Sequence, residues 1–173
     1  VSVAALTLGL LALAAPDAVE AAGKADDAKK YTEQLKTTKD AKKKAEALTE
    51  LGKIAQLTKS LVQDAVPYIK DALKDKSDEV RAAAARAYGR TGPDPKEAVP
   101  LLVGMMKEEK NEAVKAGAVY GLAAMGTDAK EAYKDIRELN GEVRKLRDQK
   151  KPFNRELDAA LREAMQATNP RAK

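Results

Sequence analysis

The side chains in this sequence that have the charge or reactivity to do chemistry are carboxylates, lysines, arginines and a few tyrosines. There is no Cys and no His. Their absence excludes disulfides and thiol nucleophiles, and it removes the two commonest transition-metal ligands. The usual proton shuttle at neutral pH is missing as well. Asp26-Asp27 and Glu108-Glu109 are adjacent carboxylate pairs. Adjacent residues on a helix point in different directions, so neither pair makes a clamp for a metal ion. The chain carries no Gly-rich phosphate loop, nucleophile elbow or EF-hand spacing. The expectation is a non-catalytic protein that needs no cofactor and no metal. An enzyme working through carboxylates is the outside alternative, and it would require a closed acidic pocket.

The basic residues point to binding. Lys42-Lys43-Lys44 is the densest run, supported by Lys36 and Lys39. A second zone comprises Arg137, Arg144, Lys145, Arg147, Lys150, Lys151 and Arg155. With a formal charge of +5, these zones suit nucleic acid, an acidic polysaccharide or anionic lipid. Acidic residues are interleaved throughout, which favours an ordinary solvated helix surface. Nucleic acid is disfavoured further because aromatics are only 3% of the chain, too few for stacking platforms.

Helices must position these side chains. Ala, Lys, Glu and Leu dominate, and β-branched residues never form an alternating run. The reading is all-α. A lead helix is expected over about 26–36, then paired helices at 40–56 with 60–74, 78–91 with 95–108, and 112–125 with 129–149, and a last helix at 154–167. Whether Asn140-Gly141 divides the segment 127–151 is left open, because Ile136, Leu139, Val143 and Leu146 carry an apolar stripe through it.

The chain repeats itself. Val80–Gly92 (VRAAAARAYGRTG) aligns with Val114–Gly126 (VKAGAVYGLAAMG) at an offset of 34 residues. Ala65-Val66-Pro67-Tyr68-Ile69 matches Ala98-Val99-Pro100-Leu101-Leu102, and Ala132–Ile136 is a weaker copy without Pro. Asp94-Pro95-Lys96-Glu97 and Asp128-Ala129-Lys130-Glu131 read as capping boxes, with Ser60 and Gln63 a related pair. Gly92 and Gly126 stand where a helix must stop. Glu156–Met165 echoes Glu79–Tyr88, and Lys43–Ile54 echoes Val80–Thr91 more faintly. Val80, Ala84, Ala87, Tyr88 and Thr91 share one helical face, which no single hairpin can bury.

Val80–Gly92, preceded by Asp78 and linked to Ala-Val-Pro-Leu-Leu, resembles the short HEAT-like repeat of the phycobilisome-lyase type. The resemblance covers about 40–167 and is clearest over 65–126. It implies a right-handed α-solenoid of stacked antiparallel hairpins, a kinked first helix at Pro100, and a binding role with no catalytic residue. A tetratricopeptide array has a similar period but wants a large residue early in the unit and Pro in the turn between units. Concave surfaces of such stacks bind partners. The outward positions expected there are Lys53, Arg86, Arg90, Tyr120 and Ala124, with Tyr120 in the register of Arg86.

Val1 to Ala15 is uncharged and short for a membrane span. With Pro16 and Val19-Glu20-Ala21 following, residues 1–21 read as a secretory leader cut after Ala21. A buried first helix and an uncleaved membrane anchor are the alternatives. No Cys follows the run, so lipoprotein processing is out. The expected organisation is a leader at 1–21, a linker and capping helix at 22–39, a repeat domain at 40–169 and a tail at 170–173. The expected place is the periplasm or the exterior, and the expected partner is an unidentified protein.

Overall fold

A computed structural model describes residues 16–171. Of the segment 1–21 expected as a leader, residues 1–15 lie outside the described residues. The described chain is helical throughout, with helices α1 (Pro16–Thr37), α2 (Ala41–Leu57), α3 (Val66–Ala72), α4 (Asp78–Arg90), α5 (Pro95–Glu108), α6 (Glu112–Met125), α7 (Tyr133–Asp148) and α8 (Arg155–Ala167). Tighter 3-10 segments, Lys59–Ala65 and Gly126–Ala132, lead into α3 and α7. Pro16 starts a helix, and α1 begins ten residues before the expected Asp26. Helix α7 runs through Asn140-Gly141 without a stop. Among the described residues no helix is long and apolar enough to cross a membrane.

The hairpins are one element out of step with the expected pairing. Helix α1 packs with α2, α3 with α4, α5 with α6, and α7 with α8. Hence 66–72 pairs forward with 78–90, while the 3-10 segment 59–65 before it packs back on 41–57. Both candidate turns around each helix are short, so loop length carries no instruction about which one closes a hairpin.

Helices α2, α4, α6 and α8 form one layer, each packed on the next. The α4–α6 contact is backbone on backbone. A Cβ added at Gly117 would lie 2.4 Å from the Ala82 carbonyl oxygen, and one at Gly121 would lie 2.4 Å from that of Ala85. Residue numbers rise together along this seam, so α4 and α6 run parallel. Helices α1, α3, α5 and α7 form the other layer and touch one another far less. Close spacing in one layer and wide spacing in the other curves the stack, with α2, α4, α6 and α8 on the concave side.

The core lies between the layers. Val80, Ala84, Ala87, Tyr88 and Thr91 are all buried, as the helical spacing demands, and so are Val114, Ala118 and Leu122 in the next unit. Gly92 and Gly126 both adopt positive φ at the helix ends, 72° and 61°.

Ion pairs repeat along with the fold. Lys70 of α3 bonds Glu97 of α5, and Lys107 of α5 bonds Asp135 of α7 at 2.6 Å. These carboxylates raise the pKa of both lysines above the ordinary value. At the hairpin turns, Lys44 of α2 reaches Asp75 at 2.6 Å and Arg81 of α4 reaches Glu109 at 2.7 Å. The two central hairpins are thus tied along two separate lines, and each outer junction is tied along one of them.

The expected caps are corrected in part. Asp94 does accept from the Lys96 amide, but Glu97 turns to Lys70 and does not close a box. Asp128 lies inside a 3-10 segment with no capping bond, and Ser60 lies inside the other. The capping side chains at the remaining starts are Asp40, Asn111 and Asn154. Pro100 leaves the Lys96 carbonyl without its helical donor, yet α5 continues to Glu108.

Candidate functional site

The concave layer carries a groove of about 430 Å³. Leu48, Ala82, Ala83 and Ala87 give it apolar walls, and Arg86, Arg90 and Glu156 give it charge. A smaller cleft of about 170 Å³ opens beside it, lined by Gln56, Lys59, Tyr120, Ala124 and Glu163, and Arg90 borders both. The groove falls in the size range of sites for small ligands or single side chains.

Three of the expected residues come together here. The Arg86 guanidinium lies 4.3 Å from the centroid of the Tyr120 ring. That contact follows from the repeat. The two residues hold equivalent positions, and parallel stacking of α4 on α6 sets equivalent positions side by side. A guanidinium over a tyrosine face is attractive by about 0.5–2 kcal/mol. Arg86 also reaches across to Glu156 on α8, spanning the intervening α6. Its Nε is buried and has no acceptor.

Arg90 sits one turn further along α4. It reaches over Gly52: the Arg90 Nη1 lies 3.6 Å from where a Gly52 Cβ would stand, an ordinary contact. The side chain is half-buried, and among the described residues it has neither a hydrogen-bond acceptor nor an ion-pair partner. Burial, and then the adjacent Arg86, pull its pKa below the ordinary arginine value, against a weaker opposing pull from Glu163. It remains a cation.

Lys53 does not join them. It is exposed on α2, pairs with Glu50 at 2.7 Å, and lies outside the linings of both cavities. Its place is taken by Thr49, Gly52 and Gln56. Sequence reasoning missed the acidic side of the site. Glu163 occupies the position on α8 that matches Arg86 in the echo between 156–165 and 79–88, so a signal for it was present. Glu156 had no such signal, because its meeting with Arg86 depends on the curvature of the stack.

Comparison with curated proteins found no match. The family model for HEAT repeats matches residues 28–123. The match starts within α1 and ends within α6, and so covers the groove walls on α2, α4 and α6 but not Glu156 on α8. The layered stack of hairpins and this match together place the chain in the HEAT repeat family.

Proposed function

We propose that this chain is a non-catalytic interaction module, an adaptor or accessory subunit, whose protein partner docks on the concave layer around Arg86, Arg90 and Tyr120. HEAT repeats commonly mediate protein–protein interaction. The observation that carries the reading is the gathering of these three side chains at the groove and its adjoining cleft on the α2, α4, α6 and α8 layer. Arginine and tyrosine dominate binding hot spots because they combine apolar area with directed polar groups. The test is in-cell crosslinking with mass spectrometry on the parent chain and on the triple variant Arg86→Ala, Arg90→Ala, Tyr120→Ala. Loss of the captured partner supports the face, and unchanged capture overturns it.

Within the family, the repeats are read as the short phycobilisome-lyase type, on the strength of the 80–92 motif and its Ala-Val-Pro-Leu-Leu continuation. Residues 1–21 are read as an export leader, which places the module in the periplasm or outside the cell. An N-terminal peptide beginning at Ala22 in the same mass spectra supports cleavage, and one retaining Val1–Ala21 overturns it. The basic zones favour an anionic polymer less than a protein. Lys44 is engaged by Asp75, Arg144 by Asp148 and Arg147 by Asp158.

A further inference from the structure

A guanidinium has five N–H donors and no way to shed its charge. Held half-dehydrated, beside a second cation and without an acceptor from the protein, it leaves its donors to water and open to a ligand. Arg90 is in that position, and the Arg86 guanidinium lies beside it with its terminal nitrogen on Glu156. Both face the concave groove or its margin. The missing element is an acceptor that presents two oxygens in a plane. A carboxylate meets an arginine in that way, with paired charge-assisted hydrogen bonds.

The rest of the lining narrows the ligand. Ala82, Ala83, Ala87 and Leu48 leave space for small apolar groups. Asp78 and Glu79 stand at the opposite end of the groove, at the start of α4, with Asp78 already engaged by Arg81 and Asn111. A continuous polyanion laid along the groove meets repulsion there. An acidic side chain set among small neutral residues does not.

We infer that the groove binds an acidic peptide segment of the partner, with one Asp or Glu carboxylate held by Arg90 and, as it displaces Glu156, by the terminal nitrogens of Arg86. Glu156 is the built-in competitor, since its carboxylate already occupies the Arg86 terminal nitrogen. The inference rests on the docking face proposed above and adds the chemical class of what docks.

The experiment is selection of a random peptide library on the full chain, followed by binding of one selected acidic peptide, its Glu→Gln twin and inorganic polyphosphate. The expected result is enrichment of an acidic residue flanked by small apolar ones. Arg90→Ala weakens the acidic peptide by about tenfold or more, as does loss of a charge-assisted pair elsewhere. Arg90→Lys weakens it nearly as much, because an ammonium offers no planar fork. Glu156→Gln tightens it by up to about fivefold, the worth of a partly exposed ion pair. A merely structural Glu156 would give the opposite sign or no change. Thermal unfolding of Arg90→Ala stays at the parent value, since no hydrogen bond is lost.

Equal enrichment of neutral peptides overturns the inference, as does an Arg90→Ala chain that keeps the acidic preference. Polyphosphate binding that exceeds the peptide's and depends on Arg90 overturns it in favour of an anionic polymer. If the triple variant loses its crosslinked partner while the library yields neutral peptides, the face stands and the acidic class falls. If the triple variant keeps its partner, both fall.

Discussion

Hairpins α3–α4 and α5–α6 are two copies of one plan, and they agree inside and disagree outside. Val80 and Val114, Ala84 and Ala118, and Tyr88 and Leu122 are buried at equivalent positions. On the concave surface, Arg86 is replaced by Tyr120 and Arg90 by Ala124. Because the copies stack in parallel, what differs between them is brought into contact. Arg86 meets the Tyr120 ring, and Arg90 borders the cleft that small Ala124 leaves open. A repeat fold therefore makes a site by varying the same position in successive units, with the core held constant.

The shared interior is where the comparison breaks most severely. Tyr88→Ala should cost about 3–5 kcal/mol in chemical denaturation and Leu122→Ala about 2–5 kcal/mol, since each empties a fully packed position. Near-equal losses would support equivalent packing, and a large disparity would deny it. Next comes the seam between the copies. Gly121→Val pushes a side chain into the Ala85 backbone and should destabilise by about 1–3 kcal/mol or more, whereas Gly104→Val, with open space around it, should lose only helix propensity. Urea midpoints of the pair distinguish them.

The caps sharpen the contrast at smaller scale. Asp94→Ala should cost about 1 kcal/mol, because a helix-starting amide loses its acceptor. Asp128→Ala, at the matching position but without a capping bond, should fall within about 0.5 kcal/mol of the parent. The turn ties add a dependence on pH. Burial pulls Asp75 upward, but the Lys44 bond, the Ser77 amide and nearby lysine charge together hold its pKa below the ordinary 3.8. A folded pKa below the unfolded one contributes stability that is present above the unfolded value and disappears as pH falls through the folded value. The stability gap between parent and Asp75→Asn should therefore be widest above about pH 5 and close towards about pH 2. A gap that stays constant across that range would show that Asp75 acts through its turn geometry alone.

Much of the fold was legible because it rests on local signals. The 34-residue register, the buried face of α4 and the positive φ at Gly92 and Gly126 all follow from spacing and residue type. The hairpin partnership was not, since 73–77 and 91–94 are both short enough to turn the chain. Asp128 misled because a capping sequence acts only where an α-helix begins, and here a 3-10 segment carries the chain onward. Counting outward positions was enough to anticipate that Arg86, Arg90 and Tyr120 lie side by side on the concave layer. Lys53 stands apart from them, outside both cavity linings and paired with the nearby Glu50. The ties from Lys70 to Glu97 and from Lys107 to Asp135 join residues 27 and 28 apart in sequence, on separate helices. No pattern along one helix announces them.

The glycine seam between α4 and α6 has one more consequence, for elasticity. Its backbones already touch, so that side of the stack has no slack to compress. The opposite layer is joined by long lysine side chains, which lengthen, rotate and re-form their bonds at small cost. When a load bends the stack, the seam behaves as the spine of a book and the outer layer as its fore-edge, opening and closing like pages. A partner pressed into the concave face would be felt as strain on the outer layer, while the Arg86–Tyr120 contact beside the spine keeps its register.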